Sequence, residues 1–220
     1  MDVLTAARKL AFAACAVLFL ATATGCAGVW STVAYWKHGQ RMPAEYAGLE
    51  GQRVAVVCVA DGSSYGTGSE STILAREVSS ILRQNIEEIE LIRPDEIADW
   101  IDREGWDEID YREIGRGVKA DQVVAIDLAG FRLYEGSSLY NGRAHLEVTV
   151  YDMQDGGREA YRKTIPEYHF PATGPRPVGD ISEVQFRHAF LRAIAEEIAK
   201  RFYNYETLND FGQDSAFIGA

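Results

Sequence analysis

Apolar residues along this chain fall into patterns that change period at recognisable breaks, and each pattern predicts an element. RVAVVCVA, Arg53 to Ala60, is a continuous valine-rich run with no polar face. Such a run predicts a strand buried on both sides at the centre of a sheet. A glycine-serine stretch follows, and then STILAREVSSILRQNIEE puts Leu74, Val78, Ile81, Leu82 and Ile86 on one stripe. That spacing predicts an amphipathic helix, with Ser69 or Ser71 as its N-cap. IELI reads as a short strand. RPDEIADWIDREG reads as a helix with Pro94 at its first position, acids in its first turn and Gly105 as its stop.

A further helical piece, WDEIDYREIGRGVK, leads into ADQVVAIDLAGFRLYEG. Val124, Ile126 and Leu128 share one parity there and Phe131 and Leu133 the other, which predicts a β-bulge near Ala129 and Gly130. GRAHLEVTVYDM alternates with Ala144, Leu146, Val148 and Val150 inward, and QDGG turns it into REAYRKTIP. A proline-rich loop then precedes a long helix from about Ile181 to Tyr203, with Leu191, Ile194, Ile198 and Phe202 toward the core. The order predicts an α/β (α+β) domain: a single mixed sheet of about five strands, with helices covering a face and a long C-terminal helix to finish.

The N-terminus carries a different signal. Arg8 and Lys9 precede the apolar run LAFAACAVLFLA, Leu10 to Ala21. The run is shorter than the ~20 residues a bilayer span needs but fits a secretory signal. TATGC follows, and Gly25 and Cys26 resemble the lipobox of bacterial lipoproteins, with Ala23 departing from the leucine that family prefers. The resemblance implies cleavage before Cys26, acylation of its thiol, palmitate included, and a membrane anchor. Ala27, rather than Asp, resembles the sorting pattern for the outer membrane, with the domain in the periplasm. The expected organisation is signal peptide 1–25, lipidated cysteine and tether 26–51, α/β domain 52–203 and tail 204–220. The tether aromatics Trp30, Tyr35, Trp36 and Tyr46 could lie at the membrane interface or fold as an arm onto the domain.

Composition narrows the partners. The net charge is −11, and loss of the signal makes the mature chain about one unit more negative. Such a surface repels nucleic acid and anionic headgroups, so no nucleic-acid role is assigned. Of the three cysteines, Cys15 leaves with the signal and Cys26 takes the lipid. Cys58 remains, in the middle of an apolar strand, and reads as a small buried hydrophobe.

The element order resembles the small α/β domain shared by the curli-secretion lipoprotein, the lipoprotein activators of penicillin-binding proteins and the N-terminal domain of TolB. RVAVVCVAD leading through a Gly/Ser loop into a helix, and GRGVKADQVVAIDL leading into a meander, carry the resemblance over roughly Gln52 to Tyr203. It implies assembly with another envelope protein, or with further copies of the chain.

Candidate chemistry is sparse. GSSYG, Gly62 to Gly66, fits G-x-S-x-G, and Ser64 with Asp127 and His169 or His188 follows the chain order of an α/β hydrolase. The alternative reading, an envelope serine hydrolase, rests on Ser64. Against it, YGTGSE separates Ser64 from the helix, and no strand of the domain precedes Arg53. A phosphate cradle lacks its lysine, and the flanking Asp61 and Glu70 would repel an anion. An EF-hand register through Gly105 puts Trp100 and Tyr111 at ligand positions. His145 and Glu147 share a strand face without a visible third ligand. The sequence therefore nominates no catalytic set, metal or cofactor. Its expectation is a lipid-anchored, non-enzymatic binding factor, with Asp61, Ser63, Ser64 and Tyr65 as a partner-contact loop and EGSSLYNG as a second one.

Overall fold

The structure, a computed structural model, describes residues 41–61, 69–104 and 110–206. The chain divides into two units, Met1–Arg41 with Glu206–Leu208 and Met42–Tyr205 with Asn209–Ala220. In the first, the described residues Arg41 and Glu206 form an exposed ion pair at 3.5 Å. The second holds the sheet and its helices.

Strand β1, Arg53–Ala60, is buried through Val54–Cys58, as its unbroken apolar run requires. Helix α1, Glu70–Asn85, starts at Ser69, whose side chain accepts from the Thr72 N–H at 3.3 Å. Its stripe turns Leu74, Val78 and Leu82 inward. Strand β2 is only Glu90–Leu91, and α2, Pro94–Glu104, has its proline at the first helical position, where no N–H is needed. Helix α3, Tyr111–Gly117, is capped by Asp110. Strands β3, Gln122–Glu135, β4, Leu139–Asp152, and β5, Arg158–Phe170, make the meander. The proline-rich loop contributes β6, Arg176–Pro177, and α4, Glu183–Ala199, opens with a reciprocal Ser182–Gln185 capping box.

The six-stranded sheet runs β2-β1-β3-β4-β5, with β6 also paired to β4. β1 is parallel to β2 and to β3, with Val54 beside Gln122 and Ala60 beside Leu128; β3, β4 and β5 are antiparallel neighbours. Helices cover both faces at the parallel end, where one covered face was expected. The chain leaves β1 sideways to β2 and then crosses back over β1 to β3. Right-handed crossovers in opposite directions put their helices on opposite faces. So α1 and α4 cover Val54, Val56, Cys58, Val124, Ile126 and Leu146, while α2 and α3 cover Ala55, Val57 and Val123. Each fully buried Val is worth about 1.5 kcal/mol or more, and β1 buries Val54, Val56 and Val57 on its two faces, so two-sided cover is what holds it in place.

The bulge falls where parity changes. The β3–β4 register shifts between Ala129 and Arg132, and Gly130 has φ +61. A Cβ there would also sit 2.8 Å from the His145 ring. Leu128 and Leu133 are therefore both inward despite their odd separation.

Candidate functional site

The topology reverses at β1, because the chain goes to β2 on one side and to β3 on the other. In open α/β sheets ligands bind in the crevice outside the strand C-termini at such a point. A cleft of about 300 Å³ lies there, lined among others by Ala60 at the end of β1, Asp61 just past it, Glu70 from α1 and Gly130, Phe131 and Arg132 from β3. Asp61 fixes its floor: its N–H donates to Leu128 O at 3.1 Å, and its Oδ2 accepts from the Gly130 N–H at 3.3 Å. Glu70 pairs with Arg187 at 3.4 Å, and Arg187 is also held by Glu183 on its own helix. Phe131 stacks on Phe190 at 5.1 Å. Arg132 is exposed and makes no ion pair among the described residues.

The same end of the sheet gathers exposed apolar side chains. Among the described residues, the large hydrophobics left exposed are Met42, Tyr134, Val178 and Val184, at 41, 42, 38 and 65%. Tyr134, next to the last residue of β3, donates its hydroxyl to Glu183 Oε2 at 2.6 Å, next to Val184 in the first turn of α4. The Val178 N–H donates to Ser138 O at 3.1 Å, in the hairpin of EGSSLYNG. Tyr134, Tyr140 and Phe186 continue from this rim into the core as successive ring contacts of 5.1 and 4.7 Å.

Met42 lies at the other end. From there the chain is held against the domain by Glu45 and Tyr46, whose N–H donates to Arg201 O at 3.0 Å. Glu45 accepts from Tyr161 at 2.8 Å, Lys163 at 3.1 Å and Arg201 at 2.5 Å. Burial alone would push its pKa up, but these three donors outweigh it and bring the carboxyl down to about 2. The Tyr46 hydroxyl donates to Gln122 at 3.0 Å, its ring meets Tyr161 and Phe202, and Leu49 is fully buried. Of the two settings open to Tyr46, it takes the one on the domain.

Cys26, Ser63, Ser64 and Tyr65 lie outside the described residues, so of the nominated contact loop only Asp61 is placed. The other members of the hydrolase constellation do not come together. Asp127 is on the α2–α3 face, where Tyr111 donates to it at 2.5 Å; burial raises its pKa against that hydrogen bond. His188 is exposed on α4, across the sheet. His169 is beside Glu167 at 3.4 Å and opposite Arg143, whereas Asp127 is opposite Glu147. Four residues of β4 separate those positions, about 13 Å. Glu147 is taken by Arg162, and the His145 Nδ1 contacts Pro166 O. Among the described residues no three His, Cys, Asp or Glu side chains gather as a metal site, and no helix is long and apolar enough to cross a membrane.

Tyr134, Val178, Val184, Arg132 and the Glu45 clamp were not singled out from sequence. Single apolar residues in polar surroundings carry no period, and only the fold brings them to one end.

No family model matches this chain, and no curated protein matches it in sequence. Solved structures with a similar course include the PelC dodecamer from Paraburkholderia phytofirmans, at 11% identity and TM-score 0.42, covering 74% of this chain and 96% of that one. They also include the LpoB C-terminal domain from Salmonella enterica, at 15% identity and TM-score 0.38, covering 57% and 87%. Lipoprotein GNA1162 from Neisseria meningitidis matches at 10% identity and TM-score 0.40, covering 67% and 96%. At these levels the likenesses do not carry function across.

Proposed function

We propose that this is a lipid-anchored protein of the cell envelope, held through Cys26 in the outer membrane and facing the periplasm, whose domain binds another envelope protein without catalysis. The observation that carries the reading is the separation of two ends. The chain enters the domain at Met42, beside the Glu45 clamp, while the switch-point cleft and the exposed Tyr134, Val178 and Val184 lie at the far ends of β1 and β3. An anchor on the Met42 side leaves the cleft end free to meet a partner. The engagement of Asp127 with Tyr111, and the opposite placement of His188, support a binding role over hydrolysis.

Three measurements test this reading. In Cys26→Ala the protein is expected to move from the membrane fraction to the soluble envelope fraction; full retention would overturn the anchor. In-cell crosslinking of the full-length protein, with the crosslinked peptides sequenced, is expected to give adducts with another envelope protein. Adducts solely between copies would replace the binding reading with self-assembly. A fluorophosphonate probe that labels the wild type but not Ser64→Ala would replace it with a hydrolase.

A further inference from the structure

We infer that the cleft where β1 and β3 end takes a small zwitterion, a free amino acid with an apolar side chain, whose ammonium meets Asp61 and whose carboxylate meets Arg132. The site goes beyond the binding of a protein partner and does not depend on it.

The charges of the lining carry the inference. Asp61, Glu70 and Arg132 are its charged members, and Glu70 already gives Oε1 to Arg187 at 3.4 Å. Asp61 and Arg132 are exposed, and neither makes an ion pair among the described residues, with the other or with any third group. Asp61 is nevertheless fixed, because its N–H donates to Leu128 O at 3.1 Å and its Oδ2 accepts from the Gly130 N–H at 3.3 Å. Its Oδ1 is left as an acceptor at the cleft. Arg132 gains no carboxylate from its own ladder: Arg143, opposite it on β4, takes Glu135 at 3.6 Å and Glu167 at 4.0 Å. The cleft therefore offers one uncompensated negative and one uncompensated positive side chain. A ligand with a single charge satisfies one of them, whereas a zwitterion gives each a charge-assisted hydrogen bond.

Size and the apolar lining choose the body of the ligand. Ala60, Leu128 and Phe131 supply the apolar part, and Phe131 is stacked on Phe190 at 5.1 Å, so this surface is formed before any ligand arrives. A volume of about 300 Å³ is at the small end of ligand clefts, where a few polar groups orient a compact apolar molecule. Other classes fit less well. A phosphate would be repelled by Asp61 and Glu70. A divalent cation needs more oxygen ligands than this lining gathers, since no three His, Cys, Asp or Glu side chains come together among the described residues. A neutral molecule would displace water from both charges and pair neither.

The test uses the full-length, lipidated protein in detergent micelles at pH 7, with amide chemical shifts followed by NMR. Racemic alanine, leucine and phenylalanine are titrated separately, and leucine is compared with isoamylamine, which keeps only its ammonium, and isocaproate, which keeps only its carboxylate. At least one amino acid is expected to bind with a dissociation constant below about 1 mM, shifting the amides of Asp61, Gly130 and Arg132. Each leucine analogue should bind roughly ten-fold more weakly than leucine, having lost one charge-assisted hydrogen bond. Asp61→Asn keeps an acceptor for the Gly130 N–H, so it should retain the fold while weakening leucine about ten-fold and leaving isocaproate unchanged. Arg132→Gln should weaken leucine to a similar degree and leave isoamylamine unchanged, with both variants melting as the wild type does. An absence of shifts with all three amino acids up to about 10 mM would overturn the site while leaving the protein-binding function standing. Analogues that bind as well as leucine would overturn the zwitterion, and binding that both substitutions leave intact would overturn its place in this cleft.

Discussion

Glu45 shows how one residue in a polar segment can act as a structural clamp. Its carboxyl receives donors from β5 and from Arg201, two residues past the end of α4, so it joins the incoming chain to segments more than a hundred residues away. Its folded pKa, about 2, lies below the ordinary carboxylate value of 4.5. A depressed pKa means that the folded state binds the proton less well than the unfolded state. The stabilisation is therefore complete above about pH 4.5 and lost as pH falls toward 2. Glu45→Gln should lower the thermal midpoint at pH 7 by about 2–4 °C, equivalent to roughly 1 kcal/mol after allowing for solvent screening at a partly exposed site. The gap between wild type and variant should close between pH 4.5 and 2 in melts followed by circular dichroism. A gap that stays constant would show that the clamp does not depend on ionisation. Nothing in the sequence around Glu45 distinguishes it from the other acids of the tether, because its three partners come from distant positions.

At the scale of elements, the apolar period was sufficient wherever an element has one buried face. The alternation in β4 and the α4 face bury the residues their spacing indicated, the α1 stripe buries Leu74, Val78 and Leu82 while Ile81 and Ile86 stay partly buried, and Ser69 caps α1. Elements without a period were legible only in outline: β2 is two residues long, and β6 arises within a loop by pairing Arg176 with Tyr140. The contact of α4 with β4 rests on close approach. A Cβ on Gly142 would lie 2.8 Å from Cδ1 of the fully buried Phe190 ring, which stacks with Phe131, Tyr168 and Phe170. Gly142→Ala should accordingly cost about 1–3 kcal/mol by overpacking. In Gly142→Ala/Phe190→Leu the total loss should be less than the sum of the single losses, because the smaller side chain makes room for the methyl. Strict additivity in denaturant titrations would indicate that α4 simply shifts away.

For the molecule as a whole, Cys58 reports on global opening. It is fully buried in β1 between the two helical layers, and burial, reinforced by Asp127, pushes its thiol well above the ordinary range. If the signal is cleaved and Cys26 acylated as proposed, Cys58 is the remaining thiol, and iodoacetamide should label it only through unfolding. Its labelling rate should rise in parallel with loss of circular dichroism across a denaturant titration. Fast labelling in native buffer would mean that β1 opens locally toward its short neighbour β2. The candidate site also belongs to this scale. Asp61 could be nominated because it ends an apolar strand, but its neighbours in the cleft, Glu70, Gly130 and Arg132, come from two other elements.

The apolar periods and turn residues of the sequence were enough for the mixed sheet, the long final helix, the bulge at Gly130 and the buried state of Cys58, because each depends on burial of a local pattern. The double-sided helical cover, the clamp on Glu45 and the gathering of Tyr134, Val178 and Val184 at one end arose only on folding. They depend on the handedness of crossovers and on contacts between residues far apart in the chain, and neither leaves a periodic trace in the order of amino acids.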